Sequence, residues 1–138
     1  MRVSFTLDTI EDVAKDLLAQ LDCKTVLFYG EMGAGKTTLI RALVKALGGT
    51  TEASSPTFSL INEYQVYDDI VYHFDFYRLN NAEEALDIGI DDYFSSEHYI
   101  FVEWPDKIDV LLPEMSVKVY IKIVDNCSRA LDLEFVNS

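Results

Sequence analysis

The sequence predicts an α/β fold with three layers, in which a mixed, partly parallel central sheet is flanked by helices. Short apolar strands alternate with amphipathic helices in the first half of the chain, which is typical of parallel strands joined by crossover helices. In the last third, strands follow one another directly, as in antiparallel pairs. The 138 residues show no linker, repeat or low-complexity tract, so we expect a single domain over residues 1–138.

The elements of the first half follow from apolar spacing and helix signals. Residues 3–7 suggest a short strand, and Asp8 or Thr9 then caps a helix. The apolar face of that helix consists of Ile10, Val13, Ala14, Leu17, Leu18 and Leu21. A strand is predicted over Thr25–Tyr29, followed after a glycine-rich turn by a helix over 37–47 that ends at a pair of glycines.

The second half of the chain predicts mostly strands. Two alternating apolar runs, 59–66 and 70–76, flank a pair of aspartates and predict a hairpin. Beyond them we expect a helical piece at 82–86, a short element at 92–94, a strand at 99–102, a short helix from Pro105 to 112, and strands at 116–124 and 129–136.

The most specific motif lies between the first buried strand and the helix that follows it. Residues 30–37 read GEMGAGKT and match GxxxxGK[ST] without a mismatch. Glycines in such a loop let successive backbone N–H groups converge on phosphate oxygens, while Lys36 adds a positive charge and Thr37 a magnesium ligand. The positive end of the following helix points at the same anion. The sequence therefore predicts a P-loop NTPase-like fold that binds a nucleoside triphosphate.

A phosphate loop usually works with a further acidic residue at a strand end, and two positions qualify. Asp75 ends one apolar run and Glu103 ends another, and spacing along the chain does not rank them. We expect Glu103 to hold magnesium with Thr37, and Asp75 to orient or polarise the attacking water. The alternative for either carboxylate is a solvated acid at a strand end.

Three further residues have competing interpretations. Thr57 lies on a loop one helix downstream of the nucleotide, where GTPase switch segments occur, or is simply a turn residue. His73 lies in mid-strand among aromatic residues, which is more typical of a core histidine than of a catalytic one. Trp104 is either a packing anchor or a lid over the site.

Composition limits the classes of partner. The net charge is −13, from 24 acidic and 11 basic residues, so we expect no strong direct binding to nucleic acid. Such acidity suits docking on a basic partner protein, or simply solvation. The two cysteines lie outside any metal-binding or disulfide pattern. No signal peptide and no apolar run of membrane-spanning length is seen, so we expect a cytoplasmic protein with no membrane contact.

Two other nucleotide-binding classes are less consistent with the motifs. A small-molecule kinase would need a lid with several arginines, and the chain has four arginines in all. Residues 106–109 read DKID and resemble the guanine-reading NKxD motif, but an aspartate replaces the asparagine that bonds the purine. A regulatory module that binds nucleotide without hydrolysing it stays open.

Five short motifs occur together in one order: GEMGAGKTT at 30–38, SPTF at 55–58, HFDFYRL at 73–79, GIDDYF at 89–94 and VEW at 102–104. In order and approximate spacing they resemble the TsaE (YjeE) family over nearly the whole chain. The resemblance implies a bacterial cytoplasmic P-loop ATPase that binds ATP and Mg²⁺. It also implies that the protein works with TsaB and TsaD to make N6-threonylcarbamoyladenosine at position 37 of tRNAs. In that scheme TsaD carries out the transfer, and the ATPase is similar to a motor or reset subunit.

The resemblance also implies roles for individual residues. The residues that match the ATP-binding loop are Gly33, Ala34, Gly35, Lys36, Thr37 and Thr38. Thr37 and Glu103 match the magnesium ligands, Asp75 the hydrolysis-related aspartate and Thr57 the switch-like threonine, while Arg129 falls where the family places a further nucleotide contact. We expect weak basal hydrolysis, because no internal arginine finger is evident near the motifs.

Overall fold

The fold is described from a computed structural model, which covers residues 2–50 and 60–136. In chain order its elements are β1 (Arg2–Thr6), α1 (Ile10–Gln20), β2 (Thr25–Tyr29), α2 (Lys36–Ala46), β3 (Ile61–Val66), β4 (Asp69–Asp75), α3 (Ala82–Asp87), α4 (Ile90–Phe94), β5 (Tyr99–Glu103), a 3₁₀ helix (Pro105–Leu111), β6 (Ser116–Ile123) and β7 (Ser128–Val136).

The seven strands within these ranges form one sheet in the order β1-β7-β6-β2-β5-β4-β3. The four central strands, β6, β2, β5 and β4, run parallel to one another. Antiparallel partners complete both sides, with β3 on β4 at one edge and β7 and β1 beyond β6 at the other. The predicted mixed, partly parallel sheet is confirmed.

Helices cover both faces of the central strands. Val26 and Phe28 of β2 pack with α1 and α2 on one face, whereas Leu27 packs with α3, α4 and the 3₁₀ helix on the other. All three side chains are fully buried, which explains why β2 is a continuous apolar run rather than an alternating one. The predicted three-layer α/β architecture is therefore confirmed.

Element boundaries differ from the sequence predictions at a few places. The helix α2 begins at Lys36, one residue earlier than expected. The predicted helix after Trp104 is a 3₁₀ helix, and it is interrupted at Ile108, where the backbone is non-helical (φ −125°, ψ 31°). The first strand of the predicted hairpin begins at Ile61, and residues 51–59, including Thr57, lie outside the described residues.

One edge of the sheet collects the chemically interesting residues. The strands β2, β4 and β5 are parallel, so their carboxyl ends lie side by side. At that edge β2 leads into the glycine-rich loop, β4 ends at Asp75 and β5 ends at Glu103. Asp75 and Glu103 are register partners, which places the two candidate carboxylates next to each other. Ligands of open α/β sheets bind at this edge.

Candidate active site

The loop between β2 and α2 has the backbone conformation that its sequence predicts. Gly33 and Gly35 have positive φ angles of 84° and 102°, in the left-handed region that a side chain disfavours. A Cβ at either position would meet no atom within 4 Å, so glycine is needed here for its conformation and not for space. Gly35 is also the N-cap of α2, so the loop opens directly onto the N-terminus of that helix.

Lys36 reaches back across the loop and is buried. Its Nζ donates a hydrogen bond of 2.5 Å to the carbonyl of Gly30 and lies 3.4 Å from the centroid of the Trp104 ring. Burial lowers the pKa of Lys36, against nearby acidic charges that raise it. The ammonium group is therefore poorly solvated, and an anion entering the loop would gain a strong partner. Trp104, which also packs 5.0 Å from the ring of Tyr77, covers Lys36.

Glu103 is the centre of a buried hydrogen-bond cluster and is 3% exposed. The Thr37 hydroxyl lies 2.8 Å from its Oε1 and 3.0 Å from its Oε2. His73 Nε2 lies 2.6 Å from the same Oε2. Burial acts to raise the pKa of Glu103, but hydrogen bonds from His73 and Thr37 and the nearby positive charge of Lys36 together lower it. Glu103 is therefore a charged acceptor within the protein.

Asp75 faces the same cleft from the neighbouring strand. The cleft has a volume of about 300 Å³. Its lining includes Lys36, Thr37, Asp75, Glu103 and Trp104. One oxygen of Asp75 accepts a hydrogen bond of 3.1 Å from the backbone N–H of Tyr77. The structure thus brings both candidate carboxylates to the first turn of α2, which carries Lys36 and Thr37.

Arg129, on β7, contacts the glycine-rich loop on the side away from Asp75 and Glu103. Its Nε donates to the carbonyl of Ala34 at 3.1 Å, and its Nη2 donates to the carbonyl of Gly33 at 3.4 Å. The guanidinium therefore bonds two loop carbonyls and no loop N–H group, whereas the Ala34 N–H donates within the loop to the carbonyl of Glu31 at 3.0 Å.

A larger cavity of about 590 Å³ lies on the Arg129 side of the loop. Gly33, Gly35 and Thr38 line both this cavity and the carboxylate cleft. The remaining walls are the β1–α1 turn and the β6–β7 turn, contributing Phe5, Thr6, Leu7, Asp8, Ile10, Asn126, Cys127 and Arg129. Sequence reasoning missed the two turns, because they meet only through the antiparallel pairing of β1 with β7, which sets Phe5 opposite Arg129.

The donor set suits a hard divalent cation. Thr37 and Glu103 supply hydroxyl and carboxylate oxygens at the end of a cleft that also contains Lys36. Such oxygens, with phosphate oxygens and water, are the ligands that Mg²⁺ prefers. The predicted pair Thr37 and Glu103 is thus adjacent and chemically suited to Mg²⁺. In the described part of the chain, no helix has both the length and the apolar character needed to cross a membrane.

Comparisons with known proteins agree with this architecture. Residues 5–131 match the family model described as Threonylcarbamoyl adenosine biosynthesis protein TsaE. The chain is similar to the tRNA threonylcarbamoyladenosine biosynthesis protein TsaE of Haemophilus influenzae, with 39% identity over 112 residues, covering 80% of this chain and 70% of the relative. It is similar to the protein of the same name from Bacillus subtilis, with 35% identity over 109 residues, covering 79% and 68%.

A solved structure shares the fold. The crystal structure of Bacillus subtilis YdiB superposes with a TM-score of 0.74 over 100% of this chain and 87% of that one, at 24% identity. The match extends over the whole length of this chain, so the two proteins share the fold of the sheet and its helices. Together with the family model and the relatives at more than 30% identity, the glycine-rich loop and its carboxylates show that the chain belongs to the TsaE family.

Proposed function

We propose that this chain is the ATP-hydrolysing subunit of the machinery that makes N6-threonylcarbamoyladenosine in tRNA, acting with TsaB and TsaD. The relatives of this chain are named for that modification. The single observation that carries the ATPase part is the meeting of Lys36, Thr37, Asp75 and Glu103 in one cleft beside the glycine-rich loop. That set is what phosphoryl chemistry on a nucleotide requires.

Each side chain has a defined task in this proposal. The loop N–H groups and Lys36 bind the phosphates, with Lys36 exchanging Gly30 and Trp104 for phosphate oxygens. Thr37 and Glu103 hold Mg²⁺, which neutralises charge on the phosphates when it is bound. Asp75 orients the attacking water. Among the described residues, its carboxylate accepts a hydrogen bond from the backbone N–H of Tyr77 and from no side chain.

The larger cavity suits the nucleoside part of the ligand. Its volume of about 590 Å³ lies within the usual range for small-molecule sites, about 300–1,000 Å³. It continues from the phosphate loop, so one molecule can occupy both spaces. ATP rather than GTP is proposed because the sequence lacks the guanine-reading NKxD motif: residues 106–109 read DKID.

Slow hydrolysis by the subunit alone follows from the charges around the cleft. No arginine is among the described residues that line it, and Arg129 is bonded to loop carbonyls. The negative charge of the transition state therefore lacks an arginine that would stabilise it. In many related enzymes a partner protein supplies that arginine. The acidic surface, with a net charge of −13, fits a subunit whose partners hold the tRNA.

Calorimetric titration with ATP and Mg²⁺ tests the nucleotide site. Lys36→Ala removes the buried positive charge that binds the phosphates. It should weaken ATP binding by about 2 kcal/mol or more, a loss of at least about 30-fold in affinity. Lys45→Ala is the matched control, because Lys45 lies on the same helix but is exposed and paired with Glu11. Equal affinities for the two variants contradict the proposed site.

Phosphate release, measured with and without TsaB and TsaD, tests the activity and the partners. We expect slow release by the subunit alone and faster release with both partners. Glu103→Ala should reduce hydrolysis more than nucleotide binding. Absence of hydrolysis under both conditions favours a regulatory nucleotide-binding module instead. Transfer of phosphate to a small-molecule acceptor favours a kinase.

A further inference from the structure

His73 is buried beside the active site but does not face the cleft. It lies in β4, is 3% exposed, and its ring lies nearly parallel to that of Tyr64, with centroids 6.4 Å apart and an interplanar angle of 22°. In the β4–β5 ladder its register partner is Phe101, so Glu103 is its diagonal neighbour on the same face of the sheet. The imidazole can therefore reach the Glu103 carboxylate directly.

The hydrogen bonds around Glu103 define which nitrogen of His73 carries a proton. A charged carboxylate only accepts hydrogen bonds, so the 2.6 Å contact requires His73 Nε2 to be the donor. His73 Nδ1 is buried and has no hydrogen-bond partner in the described structure. Among residues 2–50 and 60–136, the hydrogen bond of the His73 ring is thus directed at Oε2 of Glu103. An apolar side chain at this buried position would leave no unpartnered nitrogen, so packing alone does not account for the imidazole.

The Thr37 hydroxyl completes the same arrangement from α2. A hydroxyl has one hydrogen and two lone pairs, so donating to Glu103 leaves its lone pairs available to a cation. Glu103 Oε2 is held by His73 in addition to Thr37, whereas Oε1 has Thr37 as its donor among the described residues. The orientation of the carboxylate is therefore set from β4, by His73, as well as from α2, by Thr37.

We propose that His73 is a positioning residue for the magnesium site, which holds the Glu103 carboxylate in its metal-binding orientation through Nε2. The inference rests on the proposed function of Thr37 and Glu103 as magnesium ligands. Groups that hydrogen-bond a metal ligand from behind typically change metal affinity or activity by about 10–100-fold when they are removed. Loss of the His73 hydrogen bond should therefore weaken binding of the cation and not of the nucleotide itself.

Two amide variants separate this role from packing. The side-chain nitrogen of His73→Gln lies near the position of Nε2 and can still donate to Glu103. The amide of His73→Asn is shorter, lies near the position of Nδ1, and cannot reach the carboxylate. Both variants are polar and neutral, so a difference in Mn²⁺ binding between them cannot come from polarity or charge.

The decisive measurement is binding of Mn²⁺, as a spectroscopic substitute for Mg²⁺, to the protein saturated with ATP, followed by electron paramagnetic resonance. We expect His73→Asn to weaken Mn²⁺ binding by about 10–100-fold and His73→Gln by no more than about threefold. ATP binding measured in EDTA should change by less than about twofold in both variants. Equal Mn²⁺ affinities for Asn and Gln, or a parallel loss of ATP affinity in EDTA, overturn the proposal.

A failure of the proposed function has a different signature. If the unaltered protein binds no Mn²⁺ in the presence of ATP, the magnesium site itself is wrong. If it binds Mn²⁺ normally and His73→Asn binds equally well, the site stands and the role of His73 is wrong.

The protonated nitrogen can also be identified without any variant. Nitrogen-15 NMR of the unaltered, ligand-free protein should show the His73 proton on Nε2. A neutral ring with its proton on Nδ1 would remove the donor and overturn the proposal, even if both variants failed to fold.

Discussion

Replacing Thr37 by valine tests the contact between the phosphate loop and Glu103 before any ligand is present. Valine has nearly the shape of threonine, so packing is preserved while the hydroxyl is lost. The hydroxyl lies 2.8 Å from an oxygen of a carboxylate that is 3% exposed. Hydrogen bonds to charged groups contribute about 1.5–3 kcal/mol. We therefore expect Thr37→Val to lower the free energy of unfolding by about 1.5–3 kcal/mol, a decrease of about 5–10 °C in Tm.

Urea unfolding in EDTA without nucleotide measures this change directly. Thr37→Ser keeps the hydroxyl and should lose less than about 1 kcal/mol. Thr38→Val is the matched control for the loss of a hydroxyl, because Thr38 is exposed and such substitutions usually stay within about 0.5 kcal/mol. If Thr37→Val is as stable as the Thr38 control, the Thr37–Glu103 contact does not hold the loop in solution.

Two further predictions concern the far end of the sheet and the cover of the site. Burial acts to raise the pKa of Asp69, but hydrogen bonds from Lys24 and His98 lower it to about 2, so its stabilisation is present above pH 3.8 and is lost as the pH falls through about 2. Lys24 is 46% exposed, so solvent screens part of its attraction to Asp69. We therefore expect Asp69→Asn to lower the free energy of unfolding by about 1–2 kcal/mol at pH 7, measured with urea, and by less below pH 3.8. Trp104 is the single tryptophan of the chain and contacts Lys36, so its fluorescence should change when ATP draws Lys36 away.

Each of these has a contradicting result. An Asp69→Asn deficit that is the same at pH 7 and at pH 3 would show that packing, and not the charge, is responsible. If calorimetry detects ATP binding while the Trp104 emission stays constant, Lys36 does not exchange Trp104 for the phosphates.

Local patterns in the sequence predicted the fold and the centre of the site well. The strand before the loop, the glycines with positive φ and the helix after it are set by neighbouring residues. Strand-end acids are equally local, so Asp75 and Glu103 could be selected as candidates. Their relation to each other could not be predicted, because it depends on the β4–β5 register, which makes them partners.

What the sequence could not predict arises from long-range pairing. His73 was expected in the core and is buried, but its bond to Glu103 needs two strands that are separated by two helices in the chain. The large cavity depends on β1 pairing with β7 at opposite ends of the chain, and has no motif of its own. The predicted switch role of Thr57 stays a prediction, because Thr57 lies outside the described residues.

A crystal structure with Mg²⁺ and a non-hydrolysable ATP analogue is the most direct test of the central claim, that the loop at 30–37 binds a triphosphate faced by two carboxylates. We predict the phosphates on the loop N–H groups and Lys36, the cation beside Thr37 and Glu103, and Asp75 facing the terminal phosphate. An analogue bound elsewhere, or Asp75 and Glu103 turned away from the phosphates, would contradict the account.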